Sequence, residues 1–315
     1  MTQKSSFSSH KRNCQCWPCK HKLGKIILRK EKFMLNKIVL PSSFNYVGVF
    51  LCLRCNLNCS YCINRFGETK KYQELSGEDW IKGLSRIETR SDLPLSIQGG
   101  EPLLHSEFYD IVTSLYYGYN KQQDLLTNGL FNAYEFQMRI PGFVFMRAAP
   151  YASIRFSFHK NTNMIALAMK VDYLNKLGYS VGIWGLKHPD MVERNEEMAD
   201  LCKWLGIDYR EKEFLDENYQ GYKYPEAVNG KRHEKIVMCK PSELLIAPNG
   251  DIFQCHSDLY AGIGAEGNIL DKDLIISDKF RECSRFGFCN PCDVKIKNNR
   301  FQEGGHTSVE IKEVE

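Results

Sequence analysis

The sequence predicts an α/β fold, an open (β/α)6 partial TIM barrel followed by a small C-terminal domain built around cysteines. Three observations carry this. Short apolar runs alternate six times with helix-period stretches between about residues 45 and 210. Cys55, Cys59 and Cys62 crowd the loop that follows the first of those runs. From Cys239 onward the pattern changes to hairpin signals and a second set of cysteines.

Residues 46–51 (YVGVFL) form the first strand. Ser76 opens a helix with Asp79 three positions on, a capping pair, and Trp80, Leu84 and Ile87 fall on one face. The second strand covers 93–97, and Phe108, Ile111, Val112 and Leu115 mark the next helix. The third strand is expected at 124–126. The fourth runs over 153–158, with Ile154, Phe156 and Phe158 on one side. A helix carrying Met164, Leu167, Ala168, Val171 and Leu174 stops at Gly178, suited to a left-handed cap. The fifth strand is 181–184, a helix follows over about 189–205, and the sixth strand starts at Ile207. Serial βα units imply parallel strands with right-handed crossovers, and chemistry gathers at the strands' C-terminal ends. The cysteine loop falls at that end.

The chain has 315 residues, 43% hydrophobic and 25% charged, the balance of an ordinary globular protein. No apolar run nears the ~18 residues of a membrane span, and the polar, basic start has no signal-peptide core. Thirteen cysteines at metal-ligand spacings point to a reducing, cytoplasmic setting rather than to disulfides. The formal charge of +4 is uneven: residues 1–33 hold nine Lys or Arg against Glu31, +8, which leaves about −4 for the rest. Nothing in the body argues for nucleic acid or membrane. Residues 1–33 read as a basic extension, poorly foldable alone, in which Cys14, Cys16 and Cys19 lack a clear fourth ligand. The barrel is expected over 34–225, the cysteine domain over 226–300 and a tail over 301–315.

Cys55-Asn56-Leu57-Asn58-Cys59-Ser60-Tyr61-Cys62 places three thiolates on one short loop. A 4Fe–4S cluster takes four, so three leave one iron open to a small molecule. With Cys52 the loop also reads as two Cys-x2-Cys zinc knuckles, although only three residues separate them. The Cys-x3-Cys-x2-Cys spacing, with an aromatic before the last cysteine, resembles the radical S-adenosylmethionine (SAM) superfamily. The resemblance implies that the open iron chelates the amino and carboxylate groups of SAM. It also implies that an electron from the cluster cleaves SAM to methionine and a 5′-deoxyadenosyl radical.

Gly99-Gly100-Glu101-Pro102, after the second strand, is similar to the superfamily's GGE motif, which implies contact with the SAM amino group. Asn128, in Thr127-Asn128-Gly129, and Ser157, at the end of the fourth strand, match further SAM-contacting positions of that family, or else a plain turn and strand end. Adenine contact near Tyr61 is implied by the same pattern. His159, His188 and Arg210 fall near strand ends and are either substrate-facing or simply solvated.

Cys239 and Cys255 flank a hairpin signal at Asn249-Gly250, and Cys289 and Cys292 form a Cys-x2-Cys. Four thiolates make a closed site for zinc or a second 4Fe–4S cluster. The spacing Cys-x10-Gly-x4-Cys, then Gly267-Asn268-Ile269, then Cys-x2-Cys resembles the auxiliary-cluster domains called SPASM and twitch. A single auxiliary 4Fe–4S cluster on Cys239, Cys255, Cys289 and Cys292 is what the twitch form implies. Cys202 shares a helical face with Met198, Leu201 and Leu205 and reads as core. Cys283 reads as a spare ligand, with hydrogen donation to a substrate radical as its alternative.

The resemblance implies a radical SAM oxidoreductase or isomerase that abstracts hydrogen from its substrate, with flavodoxin or ferredoxin as reductant. A small carbohydrate- or nucleotide-like substrate is expected, because 54 residues before Cys55 are too few for a leader-binding winged helix. The alternatives are a peptide- or protein-modifying maturase and a non-enzymatic iron–sulfur carrier or zinc module.

Overall fold

The computed structural model describes residues 36–65, 71–146, 151–214, 221–228, 235–298 and 304–314. The expected extension with Cys14, Cys16 and Cys19 lies outside the described residues.

Six parallel strands form the frame: β1 (Tyr46–Cys52), β2 (Leu95–Gly99), β3 (Gln123–Thr127), β4 (Ile154–Ser157), β5 (Val181–Leu186) and β6 (Asp208–Lys212). Each pairs with the next in sequence order. The apolar runs are buried because crossover helices cover the sheet. Those helices are α1 (Gly77–Ser85), α2 (Phe108–Tyr119), α3 (Ala133–Arg139), α4 (Met164–Lys176) and α5 (Val192–Leu205). Ser76 Oγ accepts from the Asp79 amide at 3.1 Å and starts α1 as expected. Gly178 takes φ +83° just past α4, the left-handed position its sequence suggested.

Three local differences have simple causes. The second strand begins at Leu95 rather than Leu93, since Pro94 has no N–H for the ladder. Ile87 is not on α1; it pairs with Ile38 in a two-residue parallel ladder. Helix α3, capped by Asn132, is only seven residues long, too short for its periodicity to stand out.

Beyond β6 come β7 (Val237–Pro241), β8 (Glu243–Ile246), β9 (Ile252–Phe253), α6 (His256–Ala261), β10 (Arg281–Cys283), α7 (Pro291–Val294) and β11 (Val309–Glu313). The hairpin turns at Gly250 with φ +85°, as Asn249-Gly250 suggested. Its first strand, β8, lies parallel to β1, with Glu243 opposite Tyr46 and Ile246 opposite Val49. The large sheet therefore has eight strands, β9-β8-β1-β2-β3-β4-β5-β6, and crosses the boundary expected at residues 225/226. Strands β10, β7 and β11 make a small antiparallel sheet. Val309–Glu313, expected within a tail, instead closes that sheet, burying Val309.

Candidate active site

The cysteine loop leaves the C-terminal end of β1 and is held by backbone. Gly100 N donates to Cys52 O at 2.9 Å, and Glu101 N to Arg54 O at 2.8 Å. A Cβ on Gly99 would stand 2.0 Å from Cys52 O, and one on Gly100 2.2 Å from Arg54 O. The glycine pair is thus required by the passing loop itself, and Gly99 has φ +148°. Arg54 adds a bidentate pair with Glu74 at 2.7 and 2.8 Å and reaches Leu104 O at 3.0 Å. Cys52 points away into the core, its Sγ donating to Glu101 O at 3.2 Å, so it leaves the zinc-knuckle pairing short of a thiol.

Cys55, Cys59 and Cys62 all border one cavity of about 970 Å³, with Cys55 exposed and the other two half-buried. Leu57 N donates to Cys55 Sγ at 3.4 Å, and Asn128 Nδ2 approaches the same sulfur at 3.8 Å. Donors aimed at sulfur suit a thiolate, and such bonds tune an iron–sulfur potential. Three thiols on one loop, bordering one cavity and with N–H donors at Cys55, fit a cluster with a free corner.

Gly99, Gly100, Asn128, Ser157 and Tyr61 line the same cavity. Asn128 also binds the loop through Asn56 Oδ1 at 2.7 Å. Glu101 is placed differently. Its buried carboxylate accepts from Thr127 Oγ1 at 2.9 Å, Asn128 N at 2.7 Å and Leu103 N at 3.3 Å. Burial pushes its pKa up, and those three bonds oppose the shift. It braces two strand ends beneath the cavity.

Tyr61 meets His159, with 3.2 Å between the hydroxyl and Nδ1. Burial drives His159 down to about 4, helped by Lys212, and raises Tyr61 to about 12. His159 and Arg210 border the cavity. His188 instead caps the turn before α5, taking the Asp190 amide at 3.1 Å.

The deeper wall carries charges that the sequence did not single out. Arg155 pairs with Asp124 at 2.9 Å, and Lys297 with Glu243 at 2.9 Å. Burial pushes Glu243 up, but Lys297 and His306 outweigh it and hold it well below the usual carboxylate range. His256, on the cavity wall, has its Nδ1 2.7 Å from Oδ1 of the buried Asp293. Alternation along β4 could have suggested Arg155. Nothing local joins His256 to Asp293.

The second cysteine set divides. Cys283 and Cys289 pack against the small cluster that contains Cys239, and Cys255 stands at the head of α6. Cys292 lies on the main cavity wall with Cys55, Cys59 and Cys62. Cys202 is fully buried in the core. Among the described residues no helix is long and apolar enough to cross a membrane.

Residues 47–139 match a family model described as a 4Fe-4S single cluster domain. Among solved structures, native anSMEcpe with bound AdoMet and Kp18Cys peptide superposes with a TM-score of 0.51 at 16% identity, over 73% of this chain and 78% of that one. Streptococcus suis SuiB bound to precursor peptide SuiA gives 0.50 at 13% identity, over 87% and 72%. At such identities the likeness is one of fold. The shared architecture gives this chain the fold of anSMEcpe and SuiB, and its cysteine loop lies within the stretch that is similar to a 4Fe-4S single cluster domain.

Proposed function

We propose that this protein is a radical SAM enzyme that cleaves S-adenosylmethionine reductively and abstracts hydrogen from a substrate held in the cavity. The carrying observation is that Cys55, Cys59 and Cys62 share one cavity with Gly99, Gly100, Asn128 and Ser157 at the C-terminal ends of parallel strands. The frame β1 to β6 is read as the open (β/α)6 partial barrel. The cluster, when bound, supplies the electron for SAM cleavage.

The chain's own residues do the rest. Cys55, Cys59 and Cys62 offer three thiolates, while Arg54 and the glycine pair fix their loop. Gly99, Gly100, Asn128 and Ser157 present backbone and amide or hydroxyl groups to the methionine end and ribose, with Tyr61 beside the adenine. Glu101 acts as a positioning residue. The cavity walls keep water from the reacting carbon, where a radical needs close placement. A second thiol set that includes Cys239, Cys255 and Cys289 would hold an auxiliary cluster, which when bound would supply an electron acceptor.

The expected small-molecule substrate would share the cavity of about 970 Å³ with the cluster and SAM. The peptide-modifying reading is supported by the fold shared with two peptide-bound proteins. Anaerobic incubation of reconstituted protein with SAM and dithionite should yield 5′-deoxyadenosine, and Cys59→Ala should abolish it. No product from protein holding its full iron complement would favour an electron carrier.

A further inference from the structure

We infer that Cys283, not Cys292, completes the closed thiolate set: Cys239, Cys255, Cys283 and Cys289 bind the auxiliary cluster, and Cys292 is a separate thiol on the active-site wall. This rests on the auxiliary cluster proposed above and reassigns its fourth ligand from the Cys-x2-Cys pair.

Strand register brings Cys283 in. β10 runs antiparallel to β7, with Arg281 opposite Cys239 and Cys283 opposite Val237. Residues two apart on a strand share a face, so Cys239 and Cys283 are diagonal neighbours on the same side of the small sheet. Cys289 joins them, packed with Cys283 against the small cluster that includes Cys239, Val237, Phe286 and Val294. Its amide is fixed by a 2.9 Å bond to Ala227 O. Cys255, at the head of α6, lies in electrostatic reach of both Cys239 and Cys289. That makes four thiols from four separate segments.

Cys292 diverges from Cys289 because a helix begins between them. Asn290 caps α7 by accepting the Cys292 amide at 2.9 Å, and Pro291 occupies the first helical turn. The turn swings Cys292 onto the main cavity wall, near His256, Tyr260, Lys212, Lys295 and Lys297. A cubane binds one thiolate per iron, so the four thiols of the small sheet already fill it and a fifth is surplus.

The test uses the full chain, reconstituted anaerobically, with iron and acid-labile sulfide counted in Cys239→Ala, Cys283→Ala, Cys283→Ser and Cys292→Ala. Iodoacetamide alkylation read by mass spectrometry gives a second readout, and far-UV circular dichroism confirms folding. Cys283 variants should lose about four irons, as Cys239→Ala does, while Cys292→Ala keeps the wild-type count. In the loaded wild type Cys292 should alkylate and Cys283 should stay protected until the iron is chelated. Loss of four irons from Cys292→Ala, with full iron in both Cys283 variants, overturns the assignment. An unchanged count in Cys239→Ala, or one zinc per chain at this set, overturns the auxiliary cluster itself and with it this inference.

Discussion

The Asn128 amide donates a 2.7 Å hydrogen bond to Glu101 Oε2, tying the end of β3 to the end of β2 directly under the cysteine loop. Thr127 and Leu103 donate to the same carboxylate, so three bonds converge on it.

Glu101→Ala should therefore cost stability as well as cofactor binding. Leaving three buried donors short of an acceptor is worth about 2–4 kcal/mol. Anaerobic urea unfolding should show that drop, and isothermal titration of the loaded protein should show weaker SAM binding. A variant with wild-type stability and a selective loss of SAM affinity would argue for direct ligand contact instead.

Two glycines should respond differently to alanine. In Gly100→Ala the new methyl would meet Arg54 O at 2.2 Å, so the loop must shift and cluster loading should fall sharply. Gly178 has positive φ but nothing within 4 Å of an added Cβ. Gly178→Ala should cost only about 1–2 kcal/mol, the left-handed penalty, with iron content unchanged. Iron assays and thermal melts of the two variants make the comparison.

His159 sets a pH dependence. Its folded pKa is lowered to about 4, chiefly by burial, from an ordinary 6.5. Between those values the unfolded chain takes up a proton that the folded chain refuses, so this residue's share of stability is present above pH 6.5 and lost as pH falls towards 4. His159→Gln should flatten the stability profile in that window. An unchanged acid slope would mean that the imidazole titrates normally in the fold.

Arg86 is 5% exposed and donates to the carbonyls of Asn36, Ile269, Asp271 and Lys272 at 2.7 to 3.1 Å. It pins the loop after the hairpin to the end of α1. Arg86→Leu should destabilise by about 3–5 kcal/mol, and Lys should not restore the planar fork. Equilibrium unfolding of both variants decides it.

Much of this was legible because it follows from local pattern. The apolar runs at 46–51 and 181–184 announce buried strands, and Ser76 and Gly178 announce helix ends. Cys55, Cys59 and Cys62 are neighbours in sequence and need no tertiary fact to be read as a set. What spacing does not carry is register and direction. Cys289 and Cys292 are close in sequence, yet Cys292 borders the main cavity while Cys289 packs with the small sheet. Cys283 meets Cys239 only through the pairing of β10 with β7. That the carboxylate of Glu101 takes donors from the end of β3 is not visible in its motif. The partner of 243–246 was equally hidden, since an apolar strand states that it is buried but not against what.

That partner is β1, and Tyr46 sits opposite Glu243. During synthesis the edge of β1 waits unpaired until almost the whole sheet has been translated, so completing it is a late, long-range event. An open apolar edge of that kind invites pairing with other chains. Truncation before the hairpin should therefore yield aggregated material rather than a smaller working barrel.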